Sequence, residues 1–248
     1  MSTGIPASSA VPNTLLTFPP SYDGRTPLPL VFAFHGAGRT NLDMRDIDSR
    51  TNGSALEDSY VVAYMKSAGN GWDIGADAPR FDAAFDQILA QLCIQTRSVF
   101  AFGHSSGAQF IVQLLGDGRT RETRFAGVVP VASSRFNNAS WTPLPTLVIH
   151  GIDDNQRNGD RDGAIDIIQY TQSNQCSTNA LALNVASCPS IANGAAVNPG
   201  CVEYSGCAAP TLFCNHDDPN YIDNGTPTNH GWPCFANEQI FRFFEALR

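Results

Sequence analysis

Ser98-Val99-Phe100-Ala101-Phe102-Gly103-His104-Ser105-Ser106-Gly107-Ala108-Gln109-Phe110-Ile111-Val112 joins two kinds of hydrophobic pattern. Its first five residues form a nearly continuous apolar run, the mark of a strand buried on both faces. From Ala108 to Leu115 the chain reads as a helix, which Gly116-Asp117-Gly118 stops. Between the two lies G-x-S-x-G, a pattern whose glycines permit a sharp turn that a Cβ at either position would obstruct. Such a turn lifts the Ser105 hydroxyl above the strand end. The following helix directs its first N–H groups at the same place, where a developing oxyanion would find donors.

Similar runs recur on both sides of this segment. Leu30 to Phe34, Tyr60 to Tyr64, Gly127 to Val131 and Thr146 to His150 each read as a buried strand. Thr14 to Phe18 reads as an opening edge strand and Thr211 to Cys214 as a closing one. Amphipathic helices fall between them or after them: Arg80 to Gln91, with Phe81, Phe85, Ile88, Leu89 and then Leu92 on one stripe, and Asn237 to Leu247, with Ile240, Phe241, Phe244 and Leu247. Alternating strand and helix predicts an α/β fold, a mainly parallel central sheet with helices on both faces. The whole chain, 1–248, reads as one catalytic domain. Cys176 to Gly206 has no sustained period, so covalent staples are expected to replace packing in that C-terminal third.

A serine hydroxyl needs a base, and the base needs an orienting carboxylate. Asp154, in His150-Gly151-Ile152-Asp153-Asp154, follows the strand that ends at Ile149 and is preferred over Asp153; a solvated acidic turn running on to Asp160 is the bland alternative. Of five histidines, His230 sits on a loop ahead of the C-terminal helix and is the expected base, with His216 its rival. His35, His104 and His150 fit structural hydrogen bonding better. His35-Gly36-Ala37-Gly38, after the strand Leu30 to Phe34, reads as an oxyanion loop, with the Ala37 and Ser106 N–H groups as donors. Trp72 and Trp232 lie on loops at the same predicted end of the sheet. Each is a candidate wall for a planar substrate or a packing residue.

Composition excludes several other functions. A net charge of −8 and a pI near 4.9, without a Lys/Arg cluster, disfavour nucleic acid and anionic membranes as partners. No stretch approaches the ~20 apolar residues of a membrane span. Met1-Ser2-Thr3-Gly4-Ile5-Pro6 lacks the basic and apolar regions of a signal peptide, which leaves a cytosolic protein or a mature secreted one with an added Met. Six of seven cysteines, Cys176, Cys188, Cys201, Cys207, Cys214 and Cys234, crowd the C-terminal third without C-x-x-C spacing. They read as three disulfides in a secreted protein, in any of about 15 pairings, and not as a metal site. Asn52, Asn138 and Asn224 head glycosylation sequons.

The series His35-Gly36-x-Gly38, Gly103-x-Ser105-x-Gly107, His150-Gly151-x-x-Asp154 and His230-x-Trp232-Pro233 resembles carbohydrate esterase family 1. That family includes secreted feruloyl esterases and acetylxylan esterases, with polyhydroxybutyrate depolymerases as relatives. The likeness runs from about Thr14 to Phe235. It implies an α/β hydrolase fold with Ser105 as nucleophile, Asp154 as acid and His230 as base, and it supports Ala37 and Ser106 as oxyanion donors. It implies no cofactor. The expected substrate is a feruloyl ester of plant cell-wall polysaccharide or its fragments, ahead of acetylated xylan and polyesters. A peptidase, or a ligand-binding protein on a hydrolase scaffold, are the rival readings. Two features depart from the family pattern: Asn229 stands where Gly more often precedes the histidine, and Cys93 lacks the nearby partner that feruloyl members commonly have, so it reads as a buried free thiol.

Overall fold

The computed structural model describes residues 11–49, 55–117, 121–133, 141–154, 164–223 and 226–248. The three sequon asparagines, Gly118 and Asp160 lie outside them. In chain order the elements are β1 (Thr14–Thr17), β2 (Leu28–Phe34), α1 (Asn41–Ser49), α2 (Ala55–Ser59), β3 (Val61–Met65), α3 (Ile74–Gln91), β4 (Ile94–His104), α4 (Ser106–Gly116), β5 (Gly127–Val131), β6 (Thr146–Gly151) and α5 (Ala164–Ser173). There follow β7 (Ala180–Leu183), β8 (Cys188–Pro189), β9 (Ala196–Val197), β10 (Gly200–Tyr204), β11 (Thr211–His216), β12 (Tyr221–Asp223), β13 (Thr226–Thr228) and α6 (Ala236–Glu245).

Nine of these strands make one sheet in the order β1-β3-β2-β4-β5-β6-β11-β10-β7. The six from β3 to β11 are mutually parallel, while β1, β10 and β7 are antiparallel additions at the two edges. Because side chains alternate along a strand, a sheet covered on both faces needs apolar residues at every position. In β2, Leu30, Phe32 and Phe34 pack with Phe81, Phe85, Ile88 and Phe110 of α3 and α4. Val31 and Ala33 join the opposite layer, with Met44 of α1 and Phe244 of α6. The α/β architecture expected from the strand runs, a mainly parallel sheet covered by helices on both faces, is thus present.

Strand order reverses between β2 and β4: the chain leaves β2 for β3 on one side, then crosses to β4 on the other. In open parallel sheets such a reversal leaves a crevice at the carboxyl ends of the strands. The Ala37 loop and Ser105 stand at that crevice.

Several boundaries differ from the sequence expectation. The predicted closing strand is not an edge: β11 is paired on both sides, to β6 and β10. The segment read as unpatterned supplies β7 and β10, which extend the sheet, and the short β8–β9 hairpin. These strands are partly exposed, so they lack the apolar signature of the core. The helix expected from Arg80 begins at Ile74 and continues through Pro79, since Asp73 caps it by accepting from the Ala76 N–H at 2.8 Å. β2 starts at Leu28 across a register shift at Pro29, which has no N–H to give to a ladder.

Candidate active site

Ser105 sits at the junction of β4 and α4 with φ 55° and ψ −116°. A non-glycine residue there costs about 1–3 kcal/mol and persists only where its surroundings enforce it. The glycines are part of that enforcement. A Cβ on Gly103 would come 2.7 Å from the Gly107 carbonyl carbon, and one on Gly107 would run into the carbonyl oxygens of Phe34 and His35. β4, α4 and the end of β2 therefore meet closely enough to hold the turn. The Ser105 N–H donates to the Val131 carbonyl at 2.9 Å, tying the turn to β5.

The two predicted partners reach this serine from distant parts of the chain. His230 Nε2 lies 2.9 Å from Ser105 Oγ, and its Nδ1 lies 2.6 Å from Asp154 Oδ2. Asp154, just past β6, is fully buried, whereas Asp153 is exposed, so the choice between them follows from burial. A Nδ1–H donated to the carboxylate leaves Nε2 as the acceptor facing the hydroxyl. His104 Nε2, at 2.7 Å from the His230 carbonyl oxygen, steadies the histidine loop. His150 Nε2 lies 3.5 Å from the same Asp154 oxygen. His216, the rival base, is buried within β11; burial, then the nearby His150, push its pKa down to about 3, and its Nδ1 accepts from the Asp218 N–H at 3.3 Å.

The loop after β2 lies against this group. A Cβ on Gly36 would sit 2.9 Å from His104 Nδ1 and 3.5 Å from Ser105 Cβ. One on Gly71 would sit 2.9 Å from Ser106 Oγ and 3.6 Å from Ala37 Cβ, so the two expected oxyanion donors belong to adjoining segments. Ser106 opens α4, and the first four N–H groups of a helix have no intrahelical acceptor. The Gly38 N–H donates to the Asn70 carbonyl at 2.6 Å, and the Ser67 N–H to His35 Nε2 at 3.2 Å. Burial holds the His35 pKa below its ordinary value, which keeps Nε2 an acceptor.

The two tryptophans divide. Trp72 is built into the core, where it stacks on Phe110, meets Phe34 edge-on and donates Nε1–H to the His35 carbonyl at 2.8 Å. That packing accounts for the position of its ring. Trp232 lines a cavity of about 160 Å³ together with Arg39, Asp43, His104, Ile191 and Tyr221. His104 directly precedes Ser105 and Gly231, also in the lining, directly follows His230. Tyr221 meets the His230 ring edge-on at a centroid distance of 5.2 Å. Neither Tyr221 nor Ile191 lies in a motif, so sequence reasoning passed over both. The described residues hold no cluster of three or more metal-ligating side chains.

All six C-terminal cysteines are bonded, as Cys176–Cys207, Cys188–Cys234 and Cys201–Cys214, which selects one of the pairings left open above. Cys93 is free and half-buried, its Sγ donating to the Arg25 carbonyl.

Among solved structures, a carboxylesterase of Bacillus cereus superposes with a TM-score of 0.60 over 97% of both chains at 11% identity. An acetyl xylan esterase from Aspergillus awamori gives 0.59 over 94% of this chain and 93% of that one, at 13% identity. The fold is that of the α/β hydrolases. No family model matches the chain. Within this hydrolase fold, the sequence is similar to a probable feruloyl esterase C of Aspergillus terreus, 26% identical over 93% of this chain and 82% of that protein. Feruloyl esterase C of Emericella nidulans is likewise 26% identical, over 94% and 83%. The similarity, like the motif resemblance, runs along most of the chain.

Proposed function

We propose that this chain is a secreted serine esterase, a single catalytic domain that cleaves hydroxycinnamoyl esters of plant cell-wall polysaccharide through an acyl-enzyme. The observation that carries the reading is the hydrogen-bonded line Ser105, His230, Asp154, at 2.9 Å and 2.6 Å, on a strained strand-to-helix turn. His230 Nε2 takes the Ser105 proton as Oγ attacks the ester carbonyl, and Asp154 stabilises the imidazolium that forms. The Ala37 and Ser106 N–H groups receive the oxyanion, each contributing on the order of 3 kcal/mol to the transition state. The tetrahedral adduct collapses, His230 returns the proton to the leaving alcohol, and it then activates water to release the acid.

The similarity to feruloyl esterase C proteins supports the ester class and the acyl group. The cavity adds a size argument. Its volume of about 160 Å³ is close to the ~150 Å³ of a cavity that accepts benzene, so it has room for an aromatic ring, which an acetyl group would leave largely unfilled. Trp232 and Tyr221 supply aromatic wall for a planar ring. Three disulfides suit an oxidising, extracellular compartment.

Methyl ferulate, acetylated xylan and a short polyester offered side by side test the substrate assignment. The proposal expects the highest kcat/KM on methyl ferulate. A clear preference for acetylated xylan or the polyester would overturn the acyl assignment and leave the esterase mechanism standing.

A further inference from the structure

We infer that Asp218, outside every motif, is a positioning residue that sets the shape of the acyl cavity, an inference that rests on the esterase reading above. Its side chain is fully buried between β11 and β12. Three donors converge on its carboxylate: the Ser190 hydroxyl on Oδ1 at 2.5 Å, and on Oδ2 the Asn220 Nδ2–H at 3.2 Å and the Cys234 N–H at 3.3 Å. An ionised carboxylate is acceptor-only, so it can satisfy three donors at once, and such charge-assisted bonds are stronger than neutral ones.

Each donor belongs to a different stretch of cavity wall. Ser190 precedes Ile191 and Ala192 in the β8–β9 hairpin, and its Oγ also accepts from the Ala192 N–H at 3.2 Å. Asn220, itself in the lining, precedes Tyr221, and its Nδ2 also donates to the Trp232 carbonyl. Cys234 lies two residues after Trp232 and closes the disulfide to Cys188 at the base of the hairpin. One carboxylate and one covalent bond therefore register three chain segments around a single cavity. Tyr221 and the Trp232–Cys234 stretch also adjoin His230, whereas the Ser190 contacts reach neither Ser105, His230 nor the oxyanion loop, so loss of the Ser190 bond should alter what the cavity holds more than how the ester bond is broken.

Steady-state kinetics on methyl ferulate and on 4-nitrophenyl acetate, whose acyl group is too small to span the cavity, test this. Ser190→Ala frees only the hairpin. It is expected to raise KM for methyl ferulate about three- to tenfold with kcat within about twofold, and to leave kcat/KM on the acetate within about twofold. Asp218→Ala orphans all three donors and should raise the ferulate KM further. Asp218→Asn, which keeps an acceptor for Asn220 and Cys234, should recover part of that loss. Should Asp218→Ala fail to fold by circular dichroism, Ser190→Ala and Asp218→Asn decide. Equal losses on both esters, or an unchanged ferulate KM in Ser190→Ala, would overturn the inference. If the parent protein turns over 4-nitrophenyl esters but not methyl ferulate, the acyl assignment has failed. The same variants compared on 4-nitrophenyl acetate and hexanoate then judge Asp218 separately: a selective KM rise on hexanoate supports it, and none overturns it.

Discussion

Gly151 has no side chain where the backbone of Asn229 lies: a Cβ built on it would sit 2.5 Å from Asn229 Cβ and 2.8 Å from the Asn229 carbonyl carbon. The end of β6, which leads to Asp154, thus bears directly on the residue before His230. The asparagine that departs from the family pattern is accommodated by the glycine opposite. Gly151→Ala should push the His230 loop away from Ser105. A displacement near 1 Å can cost on the order of 100-fold, so kcat/KM on 4-nitrophenyl acetate should fall by about that factor with circular dichroism unchanged. Full activity in this variant would show that the contact does not position the histidine.

Asp154 and Asp153 differ by one position and are expected to differ by orders of magnitude. Asp154→Asn removes the carboxylate that orients His230 and should lower kcat about 10⁴-fold with little change in KM. Asp153 is exposed, and Asp153→Asn should stay within about twofold of the parent. Steady-state kinetics on one aryl ester checks both.

The disulfides are expected to rank by the length of chain they close. Cys188–Cys234 spans 46 residues and Cys201–Cys214 spans 13. Loop-closure entropy makes the longer bridge worth about 1 kcal/mol more. In urea unfolding, a Cys188→Ala/Cys234→Ala variant should therefore be less stable than Cys201→Ala/Cys214→Ala by about that amount. The reverse order would assign the stability to local packing in β10 and β11.

Acid should destabilise the protein through His216. Its folded pKa, about 3, lies below its ordinary 6.5, so between those values the unfolded chain binds the extra proton. The stabilisation is complete above pH 6.5 and is lost as pH falls toward 3, at up to about 1.4 kcal/mol per pH unit. His216→Asn, whose Oδ1 can accept from the Asp218 N–H, should flatten the stability profile over that window. Profiles of equal slope would rule out His216 as the group responsible.

Most of the parallel core was legible because its strands are buried on both faces and so read as unbroken apolar runs, such as Leu30 to Phe34 and Ser98 to Phe102. The Ser105 turn was legible for a related reason: its glycines answer close backbone contacts that allow no substitute. β7 and β10 were not, since β7 is an exposed edge strand, β10 is only partly buried, and the Cys201–Cys214 bond helps hold β10 to β11. α5 was overlooked although Ile167 and Tyr170, three apart, carried its buried face. Trp72 and Trp232 looked equivalent as loop tryptophans; both are buried against aromatic rings, and the cavity that Trp232 lines separates them. Asp218 carried no signal, because its role comes from donors that are far apart in the chain or in no recognisable spacing.

Hydrolysis of methyl ferulate by the parent and by Ser105→Ala, followed by release of ferulic acid, tests the central claim most directly. The account predicts turnover by the parent and a loss on the order of 10⁴- to 10⁶-fold in the variant, which retains its fold. Undiminished hydrolysis by Ser105→Ala would contradict it.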